Sequence, residues 1–192
     1  MYKICLDAAH SDKPKENSRE DEIGNTVCNL IQKLLFNYNG FAPVVVPVVN
    51  KNGVHLDLMW KTKFANDMKA DAYISIHCNW AENKNANGFN IFYNDIETAR
   101  DKELAKKSKR LATLISGQMQ EHGFTFWGVE DILPDTRASV GNLAVCSYTL
   151  MPAVLIELCF LSNEIDTIMI EKREIQEKYA VSIAKGVTSF FV

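Results

Sequence analysis

The sequence predicts an α/β protein, a three-layer sandwich with a roughly six-stranded, mostly parallel sheet flanked by helices. Three observations carry that reading. Short apolar runs rich in β-branched residues alternate with longer stretches of helical period. The 192 residues are 47% hydrophobic and 23% charged, the balance of a chain that buries a core. No linker, repeat or low-complexity segment interrupts them, so residues 1–192 read as one domain.

The first run, residues 2–6, leads into Asp7 and His10 and reads as a buried strand. A charged loop over 11–19 follows. A helix then starts near Glu20, with Ile23, Val27, Leu30, Ile31 and Leu34 on one face. Residues 43–49 read as the second strand, 56–68 as a helix with Trp60 in the core, and 72–76 as a central strand. A polar loop over 79–88 separates it from a strand at 89–93. The longest helical pattern runs from 96 to 120, with Leu104, Ser108, Leu111, Ile115 and Met119 in phase and Gly123 as its stop. Residues 153–158 form a last strand, and 175–191 a last helix with Tyr179, Ile183 and Val187 in phase.

Composition excludes several classes. A net charge of −3 argues against a nucleic-acid partner, which would show a basic stripe. No apolar run reaches the roughly 18 residues of a membrane helix, so no membrane partner is expected. The five cysteines are odd in number and contain no CxxC pair, which fits reduced thiols rather than a disulfide framework. Met1 leads directly into a strand without the basic and apolar regions of a secretory leader. The expectation is therefore synthesis in the cytoplasm.

Ligands of open α/β sheets gather at the carboxyl ends of the strands. Here those ends carry His10, His77 and Glu157. At about 100° per residue, Glu20 projects close to the buried face of the first helix, whereas Asp21 and Glu22 project away. Two imidazoles and one carboxylate suit a catalytic zinc ion, with a fourth position open to water. Glu157 interrupts an apolar run and so reads as buried. It is the candidate base, set to take a proton from water and pass it to a leaving amine. The blander reading makes it half of a buried salt bridge, with Arg137 or Lys61. Glu20 is favoured over Glu22 as the third ligand, with Glu22 still open. Trp80, close behind His77, is a candidate lining of a substrate groove. Lys102, Lys106, Lys107, Lys109 and Arg110 read as a solvated helix face.

The motifs resemble the zinc-dependent N-acetylmuramoyl-L-alanine amidases of the type 3 family over nearly the whole chain. An Asp-x-Gly-His motif is matched by Asp7-Ala8-Ala9-His10, with Glu20 opening the first helix. Ala65-Asn66, Ala70-Asp71 and Ser75-Ile76-His77-Cys78-Asn79 match the central pattern, and Gly88-Phe89 opens the next strand. Pro152-Ala153-Val154-Leu155-Ile156-Glu157-Leu158-Cys159-Phe160-Leu161-Ser162-Asn163 matches the last motif. The resemblance implies one zinc ion bound by His10, Glu20 and His77, with Glu157 as catalytic acid/base. Asn79 and Trp80, close behind His77, are the candidate substrate contacts. It implies peptidoglycan as partner and hydrolysis of the amide between N-acetylmuramic acid and L-alanine of the stem peptide. The departures are Ala9 for Gly, a short loop from His10 to Glu20, Lys61 where the family has Arg, and Ser147 where many members have Arg. The short loop is what keeps Glu22 open.

With no export signal or wall-targeting module read in the chain, two settings are expected. One is a phage endolysin released through a holin pore; the other is a bacterial lysis or remodelling enzyme. A zinc peptidase cutting within the stem peptide and a degenerate wall-binding module are the alternatives.

Overall fold

The computed structural model describes residues 1–8, 18–47 and 56–192. Elements follow in the order β1 (Tyr2–Ala8), α1 (Ser18–Phe36), β2 (Phe41–Val45), α2 (Leu58–Asp67), β3 (Ala72–Asn79) and β4 (Asn90–Tyr93). Then come α3 (Lys102–Glu121), β5 (Ile132–Pro134), a 3-10 turn at Asp135–Arg137 and α4 (Ala144–Ser147). β6 (Ala153–Phe160), α5 (Glu164–Ile170) and α6 (Arg173–Phe191) complete the chain. The six strands form one sheet in the order β2-β1-β3-β6-β4-β5. Neighbours are parallel except at β6–β4, where the direction reverses. The predicted six-stranded, mostly parallel sheet is the one observed.

Strand alternation sorts the core into two layers. One face carries Ile4, Leu6 and Ala8 of β1, Ile74, Ile76 and Cys78 of β3, and Val154, Ile156 and Leu158 of β6. These pack on the apolar stripes of α1, α3 and α6. Gly186 lets α6 approach α3 closely, since a Cβ there would stand 2.5 Å from the Ile115 Cα. The opposite face carries Cys5, Tyr73, Ala153 and Leu155 under the short α2 and α4. Among the described residues, that thinner cover leaves a cavity at the carboxyl ends of β3 and β6.

Several boundaries move, each for a local reason. The second strand begins at Phe41, paired with Tyr2, and is observed to Val45; residues 48–49 lie outside the described residues. The long helix starts at Lys102 because Asp101 caps it, its carboxylate accepting from the Leu104 amide at 2.9 Å. In α1 the deepest residues are Ile23, Val27, Cys28, Ile31 and Leu35, while Leu30 and Leu34 lie at the edge of the stripe. Trp60 is not core. α2 turns Lys61, Thr62 and Ala65 inward and leaves Trp60 38% exposed, stacked on Phe64. β5, α4 and α5 were not foreseen; at 3, 4 and 7 residues they are too short to show a period.

Candidate active site

The open sheet face collects the polar residues. Asp7 pairs in register with Ser75, and His77 with Glu157, across parallel neighbours. Asn90 pairs with Glu157 from the antiparallel side. Register partners project to the same face, so Ser75, His77, Glu157 and Asn90 share one surface with Asp7.

Glu20 reaches this surface from the first turn of α1. It is 5% exposed, whereas Glu22 faces solvent. Its Oε1 lies 3.2 Å from His77 Nδ1 and accepts a hydrogen bond from the Cys78 amide at 3.0 Å. Helix period explains the inward aim: Glu20, Val27 and Ile31 fall on one side of α1. His10 lies outside the described residues, as does His55. The structure thus brings together Glu20, His77 and Glu157.

These three line a cavity of about 590 Å³ with Asn79, Trp80, Trp127 and Arg137. Trp80 is 63% exposed at the rim, with the Lys84 ammonium 4.6 Å from its ring centre. Asn79 turns its Oδ1 onto the Trp80 amide at 2.7 Å, and its carbonyl accepts from the Leu161 amide at 2.8 Å. Trp127 and Asn90 escaped the sequence reading. Nothing in spacing marks either one, because their chain segments meet the groove only through the β4–β5 side of the sheet.

Burial dominates the electrostatics. It pushes the Glu157 carboxyl up to about 7; His77 nearby opposes the shift and Glu20 adds to it. Burial works against the charged form of His77, but Glu20, Glu157 and Asp7 outweigh it and hold the imidazole above its ordinary value. The salt-bridge reading of Glu157 fails for both suggested partners. Lys61 pairs with Asp7 at 2.6 Å, and Arg137 pairs with Glu130. Glu157 Oε2 is buried without a hydrogen-bond partner among the described residues.

The described residues hold no group of three metal-binding side chains. Glu20 and His77 do offer adjoining oxygen and nitrogen donors of the kinds zinc takes. The orphaned Glu157 oxygen stands beside them, as a proton-transfer group would. The donor set therefore fits a zinc ion completed by one more ligand.

The motif residues outside this cluster hold its walls. Ser162 Oγ accepts from the Ala81 amide at 3.0 Å, and Asn163 both caps α5 and donates to the Lys84 carbonyl. Ser147 donates to buried Asp135, which also accepts from the Asp95 and Leu143 amides. That carboxylate pins the loop that lines the groove.

Residues 4–189 match the family model Amidase_3, N-acetylmuramoyl-L-alanine amidase. Among curated relatives, the N-acetylmuramoyl-L-alanine amidase LytC of Bacillus subtilis (strain 168) is 26% identical over 192 residues, 98% of this chain and 35% of that protein. The probable cell wall amidase LytH of Staphylococcus aureus is 30% identical over 126 residues, 65% of this chain and 37% of that protein. The chain thus spans little more than a third of the length of these relatives. The catalytic domain of CwlV, an N-acetylmuramoyl-L-alanine amidase from Bacillus (Paenibacillus) polymyxa var. colistinus, shares the fold. It superposes with a TM-score of 0.80 at 24% identity, covering 100% of this chain and 98% of that one. The apo form of Ami1 from Mycobacterium abscessus gives 0.82 at 17% identity, covering 100% and 99%. A match along almost its entire length makes the chain a member of the N-acetylmuramoyl-L-alanine amidase family.

Proposed function

We propose that this protein is a zinc-dependent hydrolase of peptidoglycan that cuts the amide between N-acetylmuramic acid and the L-alanine of the stem peptide. The observation that carries the reading is the pairing of His77 with Glu157 on one sheet face, with Glu20 3.2 Å from the imidazole. His10, Glu20 and His77 would hold the ion, and residues 1–192 would act as one catalytic domain. The chemistry zinc supplies when bound is Lewis acidity toward a carbonyl oxygen and a water molecule.

The chain's own residues do the rest. Glu157, on the same sheet face as His77 and with its Oε2 free of hydrogen-bond partners among the described residues, takes a proton from the attacking water and returns it to the leaving amine. Its register partner Asn90 donates to the Trp127 and Glu130 carbonyls and so fixes the wall beside it. Trp80 and Trp127 offer flat apolar surfaces at the groove, suited to sugar and peptide. Asn79 and Trp80 are the proposed substrate contacts. The setting is the bacterial cell wall, in lysis as an endolysin or in remodelling as an autolysin.

Purified sacculi test the bond. Release of intact stem peptides with L-alanine at their amino terminus is expected, and cleavage only within the stem peptide would sink the reading in favour of a zinc peptidase. Two variants separate the roles. Glu157→Ala should keep zinc and lose hydrolysis by about 100-fold or more, while His77→Ala should lose both. Equal zinc loss in the two variants would contradict the assignment.

A further inference from the structure

Behind the site runs a chain of buried polar groups that the proposed chemistry does not use. Lys61 and Asp7 are both fully buried, and their ion pair closes at 2.6 Å. Lys61 Nζ also donates to the Ala8 carbonyl at 2.8 Å, at the end of β1. Asp7 Oδ2 accepts from Ser75 Oγ at 2.9 Å. Ser75 Oγ stands 3.1 Å from His77 Nε2, and His77 Nδ1 faces Glu20 at 3.2 Å. Every link before His77 is 0% exposed. Replacing a buried ion pair with apolar residues is often neutral or stabilising, so stability alone does not account for one here.

Hydrogen-bond accounting gives the chain a direction. Lys61 carries only donors, and the Asp7 carboxylate carries only acceptors. The single Ser75 hydroxyl hydrogen therefore goes to Asp7, and the hydroxyl oxygen is left to accept. His77 Nε2 must then carry a hydrogen. Glu20 Oε1, also an acceptor, competes from the other side for a hydrogen on Nδ1, and a cation between Nδ1 and Glu20 would take that hydrogen's place. From this we infer that Lys61, Asp7 and Ser75 are positioning residues that hold the Nε2 hydrogen and the aim of His77, presenting Nδ1 as the metal-binding atom. The inference rests on the zinc reading above for what Nδ1 binds, but not for the hydrogen-bond order itself. Imidazole ligands of metals are commonly held in this way through their other nitrogen. The bond from Lys61 to the Ala8 carbonyl ties the same lysine to the end of the strand that leads toward His10.

The test uses the metal-free protein and two readouts. Long-range 1H–15N correlation of the histidine rings at alkaline pH reports the tautomer. With four histidines in the chain, His77 is assigned by its loss in His77→Gln. Ser75 and Glu20 compete for the one hydrogen of the neutral ring, so the expected result is a smaller share of hydrogen on Nε2 in Ser75→Ala than in the wild type. Zinc affinity by chelator competition should fall about 10- to 100-fold in Ser75→Ala. Circular dichroism checks that this variant folds. If it does not, Asp7→Ala/Lys61→Met frees the Ser75 hydrogen for Nε2 without leaving an unpaired charge, and the same two readouts apply. An unchanged ring pattern or unchanged zinc affinity in the variants overturns the inference. Loss of zinc in His77→Gln alongside an unchanged Ser75→Ala would overturn the relay and leave the zinc reading standing. The expected ring shift in Ser75→Ala together with a wild type that binds no zinc would support the relay and sink the zinc reading.

Discussion

At Glu157 one side chain links stability to pH. Its carboxyl is raised from 4.5 to about 7 in the folded protein. A raised acid binds its proton more tightly when folded, so its stabilising contribution is complete below about pH 4.5 and is lost as pH rises through about 7. At about 1.4 kcal/mol per unit, the change is about 3 kcal/mol. Glu157→Gln, which is neutral throughout, should remove it. In metal-free protein, urea unfolding should show the variant gaining on the wild type between pH 5 and pH 8; a constant difference would contradict the raised value. Lys61 makes the complementary case. Lys61→Met strands the Asp7 carboxylate in the interior and should cost about 3–5 kcal/mol in the same measurement. The sequence marked Glu157 as buried because it breaks an apolar run. It offered Lys61 as a partner of Glu157 and not of Asp7, because a lysine on a short helix carries no sign of which strand it will meet.

Among the elements, α3 and α6 meet in a close helix–helix contact that a glycine permits. In an exposed helix interior, Gly→Ala gains about 1 kcal/mol. At Gly186 the new methyl would instead meet the Ile115 backbone at 2.5 Å. Overpacking of that kind costs about 1–3 kcal/mol, so Gly186→Ala should lower the unfolding midpoint. A rise would mean that the two helices can part freely. The phases of both helices were readable, since Leu111, Ile115 and Met119, and Tyr179, Ile183 and Val187, recur at helical spacing and are all buried. α2 was readable as a helix but not in rotation. Its residues 60, 61, 64 and 65 carry an apolar–basic mixture, and burial of the Lys61 ammonium against Asp7 decided which side turned inward.

For the molecule as a whole, zinc and thiols give two global readouts. A ligand that binds only the folded state stabilises it by about 2.7 kcal/mol at 100 times its dissociation constant. Zinc should therefore raise the melting temperature of chelator-stripped protein, and His77→Ala should abolish that rise. A zinc-insensitive melting curve in the wild type would speak against a folded-state site. All five cysteines are free and buried, and burial, with Asp7 adding to it, pushes the Cys5 thiol up to about 12. Native protein should react slowly with a thiol reagent at neutral pH, and denatured protein should give all five at once. Rapid labelling of the native state would mean that the sheet opens easily.

The sequence by itself determined the layered α/β class and the faces of the long helices. Both follow from local periodicity, which each segment carries without reference to the others. It also marked His77 and Glu157 as strand-end residues and Glu20 as an inward-facing helix residue. Tertiary structure alone decided that His77 and Glu157 stand side by side, that Lys61 serves Asp7 rather than Glu157, and that Trp127 and Asn90 belong to the groove. Those facts depend on strand order and register. The order β1-β3-β6-β4 joins residues 7, 75, 77, 90 and 157 across one surface. Such contacts arise only when distant segments bury their apolar faces together, and no single segment encodes its neighbour.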